Sequence, residues 1–241
     1  MQPDSRKPAR LEQASTGSEK ATRSRAPSSS GARPSPLQSR LELVAAAPDL
    51  DLDALRQAAA VCRECPLGEP ATQTVWGEGA SRARLMLVGE LPGDREDIDG
   101  RPFVGPAGRM LDRALEVLGW RRDALYVTNA VKHFKYEMRG KRRMHKTPGQ
   151  REALACLHWL ESEIAAVRPA AIVALGAVAA RSVLGRTVSV MRERGQWSQR
   201  EDGIPVLLTL HPSALLRGDR AQLEAAFEAW VADLRHAAGH L

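Results

Sequence analysis

Short apolar runs and longer helical patterns alternate along most of the chain. The apolar runs are Arg84–Gly89, Ala124–Val131, Ala170–Gly176 and Pro205–Leu210. Runs of this length bounded by Gly or Pro are typical of strands buried on both faces. The helical patterns are Leu52–Val61, Gly105–Leu118, Pro148–Val167, Ala177–Leu184 and Asp219–His236. The alternation predicts an α/β fold, a three-layer α/β/α single domain around a central four-stranded, mainly parallel sheet.

Three segments that follow predicted strands are expected to form one cleft. In open parallel sheets, ligands bind beyond the carboxyl ends of the strands. Gly89–Gly108 follows the first strand, Asn129–His133 the second, and His211–Arg217 the last. We therefore expect a single site that is built from these segments.

Residues 1–40 differ in composition from the rest of the chain. They are rich in Ser, Pro, Arg, Ala and Gly and lack hydrophobic periodicity, which predicts a disordered tail followed by a folded domain over residues 41–241.

The tail holds eight Lys/Arg against three acidic residues, and residues 132–151 hold eight against one. Because the formal net charge is only +6, two basic segments stand on an acidic body. Such segments favour nucleic-acid binding, although a solvated charged face is the simpler alternative.

The amino-acid composition also predicts where in the cell the protein is found. No run approaches the roughly 18 apolar residues that span a bilayer, and the first residues lack the apolar stretch of a secretory signal. We expect a soluble, cytoplasmic protein without a membrane partner. Six Lys against 29 Arg indicate a GC-rich coding genome and a bacterial source.

The cysteines suggest a metal site. Cys62 and Cys65 form a C-x2-C pair, whose spacing lets both sulfurs turn toward one metal centre. Cys156 would approach through the fold, and His133 is the best-placed fourth ligand, with His158 in reserve. The alternative is that Cys156 is a small core residue and His133 a surface polar group. The spacing leaves zinc and an iron–sulfur cluster equally open.

A glycine-rich segment follows the first predicted strand. Gly93 and Gly105 allow the backbone to approach a ligand closely, and the helix that Gly105 opens has free N–H groups for a phosphate or a carbonyl. Glu90, at the strand end, would orient a nucleophile or stabilise positive charge. Turn chemistry alone leaves catalytic and structural interpretations open.

Taken in order, the motifs resemble the iron–sulfur branch of the uracil-DNA glycosylase superfamily. They are the C-x2-C pair from Cys62, a GExPG turn from Gly89, GRPFVGPAG from Gly100, VTNAVK from Val127 and HPS from His211. The resemblance runs from about Val61 to Arg217. Within that branch, the KRRMH stretch from Lys141 to His145 is similar to the extra basic loop of the UdgX type. UdgX-type proteins bind uracil-DNA by forming a covalent bond through the loop histidine.

The resemblance implies a cofactor, a partner and a product. It favours a [4Fe–4S] cluster over zinc, with Cys62, Cys65, His133 and Cys156 as ligands. His133 stands where the glycosylase branch usually has cysteine. The partner would be uracil-containing DNA, single-stranded or duplex, with free uracil as product, and we expect a monomer. Leu91 departs from the UdgX pattern, which has Gln in this turn. Leu91 would change the reaction rate if the Gln side chain of that pattern polarises uracil or orders a water molecule. It would have no effect if the backbone amide at this position makes the contact.

Several residues of the expected cleft suit recognition of a base that is rotated out of the duplex. Phe103 is our candidate stacking surface, and the Asn129 amide matches the O4/N3 edge of uracil but not that of cytosine. An N–H of His211 would stabilise the negative charge that grows on uracil O2. A core role for Phe103 and turn-capping by Asn129 are the alternatives. Further expected substrate contacts come from Gly93, Asp94 and Ser213.

The resemblance assigns the covalent step to His145, which without it would be read as a surface loop residue. Glycosidic cleavage passes through an oxocarbenium-like sugar, and a neutral imidazole on a flexible basic loop over Arg139–Lys146 would attack its C1′. Glu90 would accept the imidazole proton or hold the tautomer. Leu215 or Leu216 would wedge into the vacated base stack. The expected contacts with the DNA backbone are Lys141, Arg142, Arg143, Lys146 and Arg217.

Three functions are compatible with these residues. The first is single-turnover, suicide-type covalent capture of uracil-DNA. The second is a conventional turnover uracil-DNA glycosylase of base excision repair. The third is a non-enzymatic iron–sulfur or zinc protein whose basic loop only grips phosphates. Glu90, Asn129 and His211 argue against the third, because phosphate binding requires none of them.

Overall fold

The computed structural model describes residues 51–241. The predicted basic tail over residues 1–40 and the first ten residues of the predicted folded domain lie outside the described residues. None of the helices in the described part is long and apolar enough to cross a membrane.

A six-stranded mixed sheet forms the centre of the described chain. The strands, in chain order, are β1 (Glu78–Gly79), β2 (Leu85–Gly89), β3 (Tyr126–Asn129), β4 (Tyr136–Arg139), β5 (Arg142–His145), β6 (Ala171–Leu175), β7 (Gln196–Gln199) and β8 (Pro205–Thr209). The spatial order is β1-β3-β2-β6-β8-β7, while β4 and β5 form a separate hairpin. The four central strands are parallel, and the edge strands β1 and β7 are antiparallel.

The prediction of four parallel strands is thus confirmed for the centre of the sheet and wrong for its width. β1 has only two residues, and β7 consists of the polar and largely exposed stretch QWSQ. An edge strand faces solvent and needs no continuous apolar run, so neither strand produces the pattern by which the central strands were predicted.

Helices cover both faces of the sheet. The described α-helices are α1 (Leu52–Ala60), α2 (Asp94–Asp99), α3 (Pro106–Leu118), α4 (Gln150–Val167), α5 (Ala177–Leu184), α6 (Val190–Glu193), α7 (Pro212–Arg217) and α8 (Leu223–Arg235). The five predicted helices are confirmed as α1, α3, α4, α5 and α8, with ends displaced by a few residues. The helices that were not predicted, α2, α6 and α7, have only four to six residues and are too short to show a helical period.

Two hydrophobic clusters fill the space between the sheet and the helices. Leu85 and Leu87 of β2 belong to the cluster that includes α3 and α8. The intervening Met86 and Val88 belong to the cluster that includes α4 and α5. Because successive strand residues point to opposite faces, this alternation gives the predicted three layers.

The strand register brings the expected ligand-binding segments to one edge. Gly89 at the end of β2 pairs with Asn129 at the end of β3. On the other side of β2, Leu175 of β6 pairs with Thr209 near the end of β8. Because all four strands run parallel, the segments that follow β2, β3 and β8 emerge at the same edge, as predicted.

Candidate active site and metal centre

A cavity of about 550 Å³ opens at this edge of the sheet. It brings together eight residues predicted for the site, which are Gly93, Asp94, Phe103, Asn129, His145, His211, Ser213 and Arg217. Two larger cavities of about 770 Å³ lie elsewhere, and none of the predicted site residues lines them. The chemistry-bearing side chains therefore single out the smaller cavity.

Phe103 and Asn129 form part of the cavity wall where the backbone is crowded. Both side chains are almost fully buried, and Phe103 has the left-handed backbone angle φ of 54°. A Cβ atom at Gly89 would overlap the Phe103 ring and the Asn129 side chain, and one at Gly108 would overlap the Phe103 carbonyl. These two positions must be glycine if the ring and the amide are to lie side by side.

Glu96 is a site residue that the sequence analysis missed. Its Oε2 accepts a hydrogen bond of 3.1 Å from the Gly93 amide, and its Oε1 accepts one of 3.0 Å from the Gly105 amide. One buried carboxylate thereby joins the two glycine turns of the cavity wall. The three-residue spacing between Gly93 and Glu96 resembles a capping box and was the available signal.

His211 is held as a neutral imidazole. The Ser213 amide donates to Nδ1 at 3.2 Å, and the Ser213 hydroxyl lies 2.8 Å from the same nitrogen. With Nδ1 accepting, the ring proton belongs on Nε2, where a developing anion needs a donor. Burial, together with the nearby charges of His145 and Arg217, lowers the pKa of His211 to about 4.

Ser213 and the two leucines predicted as wedge candidates differ in their surroundings. Besides contacting His211, the Ser213 hydroxyl accepts a hydrogen bond of 2.9 Å from Arg217, and Ser213 lines the cavity. Leu215 is buried in the hydrophobic core and, unlike Phe103, does not line the cavity, so it cannot act as a wedge. Leu216 is 43% exposed and lines the cavity, which leaves it as the wedge candidate.

The basic segment that was predicted to be a flexible loop is an antiparallel hairpin. β4 and β5 pair Tyr136 with His145 and Arg139 with Arg142. Gly140 has a φ of 59°, which suits the first position of a two-residue hairpin turn. The prediction of a loop was wrong because the segment's charged residues mask the strand pattern, although a glycine at the turn was a usable signal.

Arg143 ties this hairpin to α2 instead of facing outward toward DNA. Its guanidinium donates to Asp94 Oδ1 at 2.6 Å and to the fully buried Asp97 at 2.6 Å. It also lies over the rings of Phe134 and Tyr136, at 5.3 and 5.2 Å from their centroids. These contacts assign Arg143 to attachment of the hairpin.

The attachment brings His145 to the cavity. Residues 143 and 145 are two apart on β5 and therefore share one face of the hairpin. His145 lies at the solvent-accessible mouth of the cavity, where partial desolvation and the charge of Arg217 lower its pKa.

Lys146, which was predicted to contact DNA, pairs with Glu137 at 2.8 Å. Lys141 and Arg142 lie exposed around the turn.

Glu90 directly follows the last residue of β2, at the strand end where it was predicted. It is not among the residues that line the cavity, and its carboxyl is hydrogen-bonded to Thr147, two residues beyond His145. Burial raises the pKa of Glu90, and its Oε1 is buried without a hydrogen-bond partner. Glu90 therefore lies next to the segment that follows β5.

Three of the four predicted metal ligands lie together. The ligand atoms of Cys65, His133 and Cys156 are all within 4.8 Å of one another. His133 Nε2 is hydrogen-bonded to Thr74 Oγ1 at 2.9 Å, while its Nδ1 is buried without a partner. A ring fixed through one nitrogen and unpaired at the other is typical of a metal-ligating histidine. The residues therefore fit a metal.

The thiol chemistry of this group also suits a metal. The pKa of Cys65 is lowered to about 4, chiefly because the Cys156 thiol donates a hydrogen bond to it, and the nearby His133 adds to the effect. The same interaction raises the pKa of Cys156. The arrangement thus favours the thiolate form of Cys65, and thiolate is the form of cysteine that binds metals.

The other two candidate ligands lie outside this group. Cys62 is buried, and its Sγ accepts a hydrogen bond of 3.3 Å from Trp159 Nε1. The reserve ligand His158 instead places Nε2 at 3.5 Å from Glu64 and its ring against Trp159. This arrangement favours His133 over His158.

The amino-acid sequence is similar to those of known proteins. Residues 76–235 match the family model of the uracil DNA glycosylase superfamily. The chain is 40% identical over 163 residues to a type-4 uracil-DNA glycosylase of Thermotoga maritima, covering 67% of this chain and 81% of the relative. A type-4 enzyme of Pyrobaculum aerophilum is 38% identical over 175 residues, with coverages of 70% and 86%. A type-5 enzyme from the same organism is 34% identical over 176 residues, with coverages of 62% and 72%.

Arg143→Ala should loosen the hairpin, because the buried Asp97 carboxylate loses its cationic partner. We expect amide hydrogen exchange over residues 136–145 to accelerate about tenfold, whereas the central strands keep their protection. Mass-spectrometric exchange measures this. Arg142→Ala, at the exposed turn, is the matched control and should leave exchange unchanged. Equal protection in Arg143→Ala and the parent protein would show that the ion pairs do not hold the hairpin.

Cys156→Ser and His133→Ala should each lose bound metal, because each removes a ligand atom from the group. Elemental mass spectrometry of the purified protein gives the metal identity and stoichiometry, and visible absorbance distinguishes an iron–sulfur cluster from colourless zinc. His158→Ala is the matched control and should retain the metal. Loss in His158→Ala with retention in His133→Ala would reverse the ligand assignment.

Proposed function

Because the chain belongs to the uracil DNA glycosylase superfamily, we propose that it excises uracil from DNA and that His145 then captures the sugar covalently. The chain is a uracil-DNA glycosylase-like enzyme, related to type-4 enzymes over two thirds of its length. One observation carries the proposal of capture: His145 lines the same cavity as Asn129 and His211. Its partner would be uracil-containing DNA, single-stranded or duplex, which it would meet as a monomer in a bacterial nucleoid.

Uracil would enter the cavity after rotation out of the base stack. Phe103 supplies a buried ring for stacking, and the Asn129 amide offers a donor and an acceptor to the O4/N3 edge. Cytosine carries a donor at C4 and a bare acceptor at N3, so the same amide orientation cannot satisfy it. The cavity wall therefore supplies both affinity and selectivity for uracil.

His211 would assist the breaking of the glycosidic bond. The bond between C1′ and N1 of uracil breaks with its electron pair passing to the base, so negative charge grows on O2. The neutral ring of His211 carries its proton on Nε2 and donates a hydrogen bond from there to O2. This hydrogen bond strengthens as negative charge develops on the oxygen. The sugar is left as an oxocarbenium-like cation.

Capture follows when the unprotonated nitrogen of His145 attacks that cation. A bond forms between the imidazole nitrogen and C1′, and the other ring nitrogen then gives up its proton. Glu90 is our proposed acceptor, and to reach the ring its carboxyl must turn away from Thr147. The product is a neutral N-glycosidic linkage with no good leaving group, which makes the complex long-lived.

The metal-binding group has a structural part in this proposal. We propose a [4Fe–4S] cluster held by Cys62, Cys65, His133 and Cys156, with Cys62 turning from Trp159 to complete the set. When bound, the cluster supplies a cross-link between the segment after α1, the segment after β3 and α4. His133 follows Asn129 by four residues, so the cross-link steadies the chain that carries the base-reading amide.

His145→Ala should abolish the covalent adduct, because no nucleophile then remains at the cavity mouth. The assay mixes the protein with uracil-bearing oligonucleotides and resolves the products on a denaturing gel, with thymine-bearing strands as the substrate control. Met138→Ala, on the exposed part of the same hairpin, is the matched control and should form the adduct normally. An adduct that persists in His145→Ala would remove the imidazole from the mechanism. Multiple turnovers by the parent protein would favour a conventional glycosylase.

The rate of adduct formation should be constant above pH 6.5 and fall on acidification. Desolvation and Arg217 lower the pKa of His145 from 6.5, so the neutral imidazole needed for attack is lost only below that pH. Single-turnover rates between pH 4.5 and pH 8, at constant ionic strength, give the profile. A rate that declines already between pH 8 and pH 7 would contradict a depressed pKa for the nucleophile.

A further inference from the structure

A buried ion pair lies beside the chain segment that carries Asn129. Lys132 follows β3, Glu163 lies on α4, and both side chains are fully excluded from solvent. Burial removes the hydration of both charges, and their mutual attraction offsets that loss only when further hydrogen bonds are made. The other partners of the two groups therefore indicate what the pair does.

Lys132 makes three hydrogen bonds, which use all three ammonium protons. Its Nζ donates to the main-chain carbonyl of Asn129 at 2.7 Å, to Thr128 Oγ1 at 2.8 Å and to Glu163 Oε2. The first of these fixes the backbone of the residue whose side-chain amide lines the cavity. A lysine side chain thus folds back onto the end of its own strand.

Glu163 is equally committed. Its carboxylate accepts from the Gly77 amide at 2.9 Å, from the Tyr126 hydroxyl at 3.1 Å and from Thr128 Oγ1 at 2.8 Å. Burial and the nearby carboxylate raise the pKa of Tyr126, so its hydroxyl remains a donor. This carboxylate is therefore satisfied by groups that do not line the cavity, and its hydrogen-bonded path to the Asn129 carbonyl runs through Lys132.

We propose that Lys132 is a positioning residue for uracil recognition. By holding the Asn129 carbonyl, its ammonium fixes the backbone angle from which the Asn129 side-chain amide enters the cavity. Two neighbouring backbone bonds, from Ala130 to the Gly89 carbonyl at 2.9 Å and from Val131 to the Glu90 carbonyl at 3.0 Å, hold the same stretch against β2. Glu163 neutralises the ammonium. The inference rests on the proposed role of Asn129 in reading the base.

Three variants separate positioning from stability. Lys132→Met keeps the length of the side chain but removes the donor, and it leaves Glu163 without its cation. Glu163→Gln keeps the bond from Lys132 to Asn129 and removes the charge pair. The double variant Lys132→Met/Glu163→Gln removes both charges, so it relieves the unpaired carboxylate without restoring the donor.

The measurements are the single-turnover rate of uracil release, the preference for uracil over cytosine, the midpoint of thermal unfolding and the metal content. In Lys132→Met we expect release to slow by about a hundredfold and the base preference to narrow, as for a misplaced contact group. In Glu163→Gln we expect a lower unfolding midpoint but release within about threefold of the parent. The double variant should unfold at a higher temperature than Lys132→Met and still release uracil slowly.

Two outcomes would overturn the inference. Release that recovers together with thermal stability in the double variant would show that Lys132 acts only through stability. Release and base preference that are unchanged in Lys132→Met would exclude a positioning role directly.

Asn129→Ala separates this inference from the proposed function. If Asn129→Ala retains the rate and the base preference, the proposed reading of uracil by Asn129 fails, and the role of Lys132 fails with it. If Asn129→Ala loses both while Lys132→Met loses neither, only the Lys132 inference is wrong. Slow uracil release and a narrowed preference for uracil over cytosine in both Asn129→Ala and Lys132→Met would support the positioning role of Lys132.

Discussion

The parallel pairing of the central strands is the constraint on which the rest of the structure depends. Gly89 lies opposite Asn129 only because β2 and β3 run in the same direction in one register. A slip of one residue would turn the Asn129 side chain toward the opposite face of the sheet and remove it from its position beside Gly89. The buried runs of the strands thus determine where the polar side chains emerge, and the site takes its shape from the core.

What the sequence could predict follows from the same logic. Apolar runs such as Ala171–Leu175 and long periodic helices such as Pro106–Leu118 identify the layers, and the layers identify the edge at which Asn129 and His211 meet. The hairpin over residues 136–145 was missed because its strands are too charged to show alternation. The burial of Lys132 could not be read from the sequence, since its partner Glu163 is 31 residues away and buried lysines are rare.

Local charge is a poor guide to which residues face DNA. In the segment over residues 132–151, Lys132, Lys135, Arg143 and Lys146 are all paired with carboxylates of the protein itself. Much of the positive charge of this stretch is therefore neutralised within the protein, and Arg143 attaches the hairpin to α2. Lys141 and Arg142, exposed at the turn, are the residues of the KRRMH stretch that remain suited to a phosphate contact.

Binding to DNA removes less conformational entropy when the histidine lies on an anchored hairpin than when it lies on a mobile loop. The backbone of residues 142–145 is already ordered by folding, so no further ordering of these residues opposes binding. In the proposed capture, the nucleic acid would therefore make the larger movement. Strands that open readily, such as frayed ends, gaps and weakly stacked steps, become the places where such a protein finds its target fastest.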